Sequence, residues 1–231
     1  MTVQSELRHM LETVAHALGD DLRDRLVFVG GCTIALFITD PVTLEEVRAT
    51  DDVDLIMDLI GLGDWIELRQ KLLERGFSES LDDDVVCRMR LGTLKVDFMP
   101  DNEVVIGFTN RWYALGLETA VSYPLTSKLR IKHLAPPILV ATKLEAYLGR
   151  GRNDPLSSHD LEDVILVIDG REELVEEVRA ASAHVRAFIS KQLKAFQDHR
   201  DFDSFIEGNL RRNVGRSEIV RKRISAIIEA N

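Results

Sequence analysis

The sequence predicts an α+β fold: a first lobe in which strands mix with helices, α/β or α+β in kind, followed by a lobe of helices alone. Three observations predict it. Short apolar or β-branched runs of strand length, Leu26–Val29, Val53–Met57 and Thr93–Phe98, are confined to the first half of the chain. Between them lie stretches whose apolar residues recur at three- and four-residue intervals, the repeat of an amphipathic helix. From Pro136 onward only helical patterns remain. The boundary is placed near residue 125, giving a core lobe 1–125 and a mainly helical lobe 126–231.

In order along the chain, Leu7, Met10, Leu11, Val14 and Leu18 mark a helix over Ser5–Leu18. Leu26–Val29 is a buried strand that ends in the tight turn Gly30-Gly31, and Cys32–Ile38 is the helix expected to follow. Val53–Met57 is a second buried strand. Trp65–Arg75 is a helix closed by Gly76. Val85–Arg90 and Thr93–Phe98 flank a turn at Gly92 and form a hairpin. The second lobe holds helices at Ile138–Leu148, His159–Ile168, Glu172–Phe196 and Ser217–Ala230, with the loop Gly149–Ser158 between the first two. No internal repeat or low-complexity tract is present.

Composition narrows the function. With 231 residues, 45% of them hydrophobic, the chain can bury a core without metals or disulfides. Cys32 and Cys87 have no paired spacing for a zinc site and no motif partner for thiol chemistry, so a reduced, cytoplasmic protein is expected. The amino-terminal residues carry charges where a signal peptide needs an apolar stretch, and no run reaches the length of a membrane span. A net charge of -10 excludes a protein that coats nucleic acid non-specifically. The charge is uneven: residues 1–125 hold 11 Lys+Arg against 23 Asp+Glu, residues 126–231 hold 18 against 16. That asymmetry fits a metal-binding lobe beside a lobe that meets phosphates, or ordinary surface variation.

Arg48-Ala49-Thr50-Asp51-Asp52-Val53-Asp54 is the most informative stretch. On a strand, residues two apart share a side, so Asp52 and Asp54 project together while Val53 faces the core. Neighbouring carboxylates repel unless a divalent cation sits between them, and Mg2+, with Mn2+ as an alternative, takes such hard oxygen ligands while leaving room for phosphates. Asp97 lies in the apolar run Leu94–Met99, where an unpaired charge is costly to bury. If its strand lies beside that of Asp52 and Asp54, three carboxylates converge. The Asp-x-Asp pattern alone also marks helix caps and solvated strand ends. The Gly30-Gly31 turn lets a triphosphate approach backbone N–H groups at a helix start, although without the acids it is only a tight turn.

Val29-Gly30-Gly31, then Arg48-x-Thr50-x-Asp52-x-Asp54, then Asp97, resembles the nucleotidyltransferase core of the DNA polymerase beta superfamily. Within it, the order Lys143-x-x-Ala146-x-x-x-Arg150 and His159-Asp160-x-x-Asp163 is similar to the AbiE-type toxins and the related mycobacterial Men-type toxins. The likeness spans roughly residues 26–168. Cys32 stands near a place where many relatives carry Ser or Thr, and His159 stands where a basic residue is more usual. The resemblance implies a mixed, strongly twisted sheet flanked by helices, and transfer of a nucleoside monophosphate from a nucleoside triphosphate to an acceptor hydroxyl. It implies metal binding by Asp52, Asp54 and Asp97; nucleotide binding by Gly30, Gly31, Cys32, Arg48, Thr50, Lys143 and Arg150; and catalytic parts for Lys143 and Asp160. It also implies a toxin of a toxin–antitoxin pair, with the acceptor end of tRNA as substrate and a cognate antitoxin as partner.

Each residue of the second lobe also has an ordinary reading. Lys143 lies on an apolar helix, where it either binds phosphate or snorkels to the surface. Asp160 and Asp163 either join the chemistry or charge the first turn of their helix beside Ser157 and Ser158. Arg150 and Arg152 border a loop and could reach a nucleotide or an RNA backbone. Lys128–His133 alternates cations with apolar residues. Arg211, Arg212, Arg216, Arg221, Lys222 and Arg223 form a basic cluster that either holds RNA or faces water. Two other functions remain open at this point: modification of a small, antibiotic-like acceptor, and an inactive relative that binds a partner through its helical lobe.

Overall fold

The computed structural model describes residues 2–59, 61–83, 85–105, 107–151, 154–210 and 215–230. Two compact units are formed: Met1–Ala35 with Arg48–Ala135, and Leu36–Val47 with Pro136–Asn231. The first therefore extends ten residues past the expected boundary, and the second takes a short segment from the first half of the chain.

Helix α1 (Val3–Arg23) buries Leu7, Leu11, Val14, Ala15, Leu18 and Leu22, and Thr2 caps it by accepting from the Ser5 amide at 3.3 Å. Gly19, at φ +62, kinks it, and one more turn follows beyond the expected Leu18. Strand β1 (Val27–Val29) is wholly buried. Gly31–Leu36 winds as a 3-10 helix, not the α-helix expected over Cys32–Ile38. Past Leu36 the chain joins the second unit, where the Thr39 and Asp40 amides donate to the Gly170 carbonyl instead of continuing a helix. Helix α2 (Pro41–Leu44), capped by Asp40, also belongs to that unit.

Strand β2 (Asp52–Met57) returns to the first unit, followed by α3 (Leu62–Glu74), which Gly76 closes at φ +88. Strands β3 (Arg88–Leu91) and β4 (Leu94–Pro100) form the expected hairpin, with Gly92 at φ +63 in its turn. Helix α4 (Tyr113–Glu118) precedes a second hairpin, β5 (Val121–Pro124) and β6 (Arg130–His133). The sheet order is β3-β4-β2-β1-β6-β5. β2 is antiparallel to β1 and parallel to β4, and β1 is parallel to β6, so the sheet is mixed, with an antiparallel hairpin at each edge. The α+β expectation holds. β6 alternates as its sequence predicts, Ile131 and His133 inward, Arg130 and Lys132 outward.

The second unit is helical: α5 (Pro136–Arg150), α6 (His159–Gly170), α7 (Leu174–Ala180), α8 (Ala183–Gln197), α9 (Phe202–Asn209) and α10 (Arg216–Glu229), with α2. The single helix expected over Glu172–Phe196 is two. Ala181 turns extended, Ser182 caps α8, and the Arg186 guanidinium donates to the carbonyls of Arg179 and Ala181 that the break leaves exposed. Helix α9 had no sequence expectation; Phe202 and Phe205 hold it edge-on against Phe196. Among the described residues no helix is long and apolar enough to cross a membrane.

Candidate active site

The site begins with the pleat of β2. Asp52 and Asp54 are half-buried on one side, and Val53 and Leu55 are buried on the other. Parallel pairing with β4 then sets Asp54 level with Asp97, so both project from the same side of the sheet. Val29, the last residue of β1, is level with Asp54 across the opposite edge. One oxygen from each of Asp52, Asp54 and Asp97 lies within 4.8 Å of the others. Three like charges at that spacing repel strongly and demand a positive neighbour.

Arg88 is one such neighbour. Its Nε and terminal NH2 donate to the two oxygens of Asp97 at 2.7 and 2.8 Å, and the same NH2 lies 3.9 Å from Asp52. The bond to Asp97 holds the guanidinium proton more tightly than in a free arginine. Burial first, and then the charge of Asp97, push the adjacent Cys87 thiol up to about 12, which leaves it inert as a nucleophile. Arg88 belongs to none of the motifs read from the sequence. Its signal was present: closing a hairpin at Gly92-Thr93 pairs Leu91 with Leu94 and, three steps on, Arg88 with Asp97.

The glycine turn fits against the acids. Gly30 sits at φ +74, and a Cβ there would lie 1.7 Å from Asp54 Oδ2, so only glycine leaves the carboxylate its place. The Thr33 hydroxyl donates to the Gly30 carbonyl at 2.9 Å and holds the turn. Thr50 donates to Asp52 at 2.5 Å, orienting that carboxylate. The Arg48 guanidinium passes beside Gly31, 3.3 Å from where its Cβ would be. Cys32 is fully buried, its thiol turned to the Val29 carbonyl at 3.5 Å.

Lys143, Arg150, Asp160 and Asp163 come together in the second unit, between α5 and α6. Lys143 Nζ lies 2.6 Å from Asp163 and 3.3 Å from Asp160, and Arg150 grips Asp160 with two bonds of 2.8 Å. The four charges sum to zero. Burial raises the Asp160 carboxyl, but the hydrogen bonds and charges of Arg150 and Lys143 outweigh it and hold the group below the ordinary carboxylate range. Ser158, not either acid, caps α6 by accepting from the Leu161 amide. His159 stands outside the cluster, paired with Glu162 at 2.7 Å.

Of the other cations noted in the sequence, Arg152, Arg211 and Arg212 lie outside the described residues. Arg216 reaches Asp169, Asp40 and Thr43 inside the second unit, Arg221 pairs with Asp203, Lys222 with Glu218, and Arg223 donates to the carbonyls of Ile168 and Asp169. Arg216, Arg221 and Arg223 thus hold helices together within their unit, while Lys222 pairs along its own helix.

Carboxylates gathered from two parallel strands beside a glycine turn match the arrangement that the sequence resemblance led us to expect. Comparison with known families agrees: residues 15–226 match the family described as nucleotidyl transferase AbiEii toxin, Type IV TA system. The chain belongs to that family, as the order of its motifs led us to expect, and its membership implies a nucleoside triphosphate substrate and an antitoxin partner. Comparison with curated proteins finds no match.

Proposed function

We propose that this toxin transfers a nucleoside monophosphate from a nucleoside triphosphate to a hydroxyl of tRNA, releasing pyrophosphate, in a Mg2+-dependent reaction in the cytoplasm. The observation that carries the reading is the level pairing of Asp54 with Asp97, Asp52 beside them, their oxygens within 4.8 Å. The donor set fits the cation: three hard carboxylate oxygens, with the remaining positions left to water and phosphate, as Mg2+ prefers. Asp52, Asp54 and Asp97 would hold it. When bound, it supplies charge neutralisation at the phosphates and eases ionisation of the acceptor hydroxyl.

The chain's own residues do the rest. Thr50 fixes Asp52, and Asp97 receives the proton of the acceptor hydroxyl. Gly30 and Gly31 admit the phosphates to the backbone, with Arg48 beside the turn and Cys32 anchoring it from the core side. In the second unit, Arg150 has the exposed guanidinium, its side chain 73% accessible against 9% for Lys143. Arg150 is therefore the group we assign to a phosphate, with Asp160 orienting it and Lys143 neutralising Asp160 and Asp163 behind it.

The test is incubation with tRNA, Mg2+ and each labelled nucleoside triphosphate in turn. Label should reach tRNA, and Asp52→Ala and Asp54→Ala should each reduce it by about a thousandfold or more, since each removes charge that faces the reacting phosphate. Full activity in both variants, or label on small acceptors only, overturns the proposal.

A further inference from the structure

The active-site triad contains a positive group that the proposed reaction does not use. Arg88 occupies both oxygens of Asp97 with a fork that is 16% accessible, and it reaches to 3.9 Å of Asp52. We propose that Arg88 is a built-in counter-ion that competes with the divalent cation for Asp97, so that loading the site requires the guanidinium to release the carboxylate. The inference rests on the reading of the triad as a metal site and adds a residue that sets how strongly it binds.

The argument is one of charge and donor count. The oxygens of the three carboxylates lie within 4.8 Å of one another, and Arg88 bonds both oxygens of one of them, so the donor set that would attract a dication is already engaged by a cation. A dication seated among those oxygens faces a guanidinium already bonded to one of its ligands, and the two like charges repel in a partly desolvated place. The Asp97 oxygens also lose donor strength to two charge-assisted hydrogen bonds. Placement of Arg88 is not accidental to a mobile loop: it is a paired residue of β3, level with Asp97. The pair holds the empty site together, and that grip lowers the affinity of the site for metal.

Calorimetric titration of Mn2+ into the full-length protein without nucleotide tests the inference. Arg88→Gln should bind Mn2+ at least about tenfold more tightly than wild type, a difference of about 1.4 kcal/mol, whereas Asp97→Asn should bind more weakly. Equal or weaker binding by Arg88→Gln, with wild type binding normally, overturns the inference and shows Arg88 to be an orienting group for Asp97. If neither protein binds Mn2+, the metal reading of the triad falls and the inference falls with it. The 15Nε resonance of Arg88, assigned with Arg88→Lys, gives a second readout on the unmodified chain, should Arg88→Gln fail to fold. Saturation with Mg2+ should shift that signal and remove its protection from solvent exchange; a signal unchanged at saturation overturns the competition.

Discussion

Replacing Gly30 with alanine tests the link between the turn and the acids. The residue sits at φ +74, a region that costs an L-residue about 1–2 kcal/mol. The new Cβ would lie 1.7 Å from Oδ2, 2.6 Å from Cγ and 2.8 Å from Cβ of Asp54. The carboxylate can swing away, but the Asp54 Cβ is held by β2, whose backbone is locked level with Val29 on β1. Relief to a normal carbon separation of about 3.5–4.0 Å therefore needs movement of the strand or the turn, and forced overpacking of this kind costs about 1–3 kcal/mol. Gly30→Ala should thus lose about 2–5 kcal/mol of stability in the first unit. It should also lose at least about tenfold in Mn2+ affinity, because the carboxylate that swings out is one of the three proposed to hold the metal. Gly31→Ala is the control: its Cβ would meet the flexible end of the Arg48 side chain at 3.3 Å and Thr50 at ordinary contact distances of 3.7 and 3.8 Å, so melting and Mn2+ binding should stay near wild type. Thermal unfolding and calorimetry read both. A Gly30→Ala protein that melts and binds Mn2+ like wild type would refute the close fit of turn to carboxylate.

Other outcomes follow from the second unit. Lys143→Met takes a buried cation from Asp160 and Asp163, whose side chains are 6% and 2% accessible, and keeps Arg150 on Asp160; loss of about 3 kcal/mol is expected in urea unfolding, and a variant as stable as wild type would show the cluster to be hydrated. The Asp160 carboxyl is held below its ordinary value, so its contribution is present above the unfolded value of about 4 and disappears as pH falls through the folded value. The stability gap between wild type and Asp160→Asn should therefore be flat from about pH 5 to 8 and narrow in acid; a gap that widens in acid would reverse the sign. Arg216→Met takes the cation from Asp169, 4% accessible, and leaves it the Thr43 hydroxyl at 2.8 Å; the change should cost about 3 kcal/mol, seen as a lowered urea midpoint. Arg221→Ala, whose partner Asp203 is exposed, should leave that midpoint almost unchanged.

Much of this site is written in short-range geometry. Period two along a strand sends Asp52 and Asp54 to one side whatever surrounds them, and a glycine pair after an apolar run marks a tight turn. The order of these pieces was enough to name the family. The Arg88–Asp97 pairing is equally local, fixed by the two-residue hairpin turn. Convergence of Asp97 with Asp54 is different. β2 and β4 are parallel, joined through α3 and β3, and nothing within either strand states which residue of one stands level with which of the other. That register is chosen by burial of both faces of the sheet at once. The same holds for Leu36–Val47, whose sequence follows a strand of the first unit but whose Asp40 and Thr43 meet Arg216, more than 170 residues later. Lys143 likewise read either as a phosphate ligand or as a snorkelling surface lysine, and its pairing with two carboxylates of α6 was not visible in the sequence. The sequence by itself determined the main strands and helices and the chemical groups they carry; the tertiary structure decided that Gly31–Leu36 winds as a 3-10 helix, that α7 and α8 break apart and which distant charges meet, because pairing across long loops is set by what the whole core can bury.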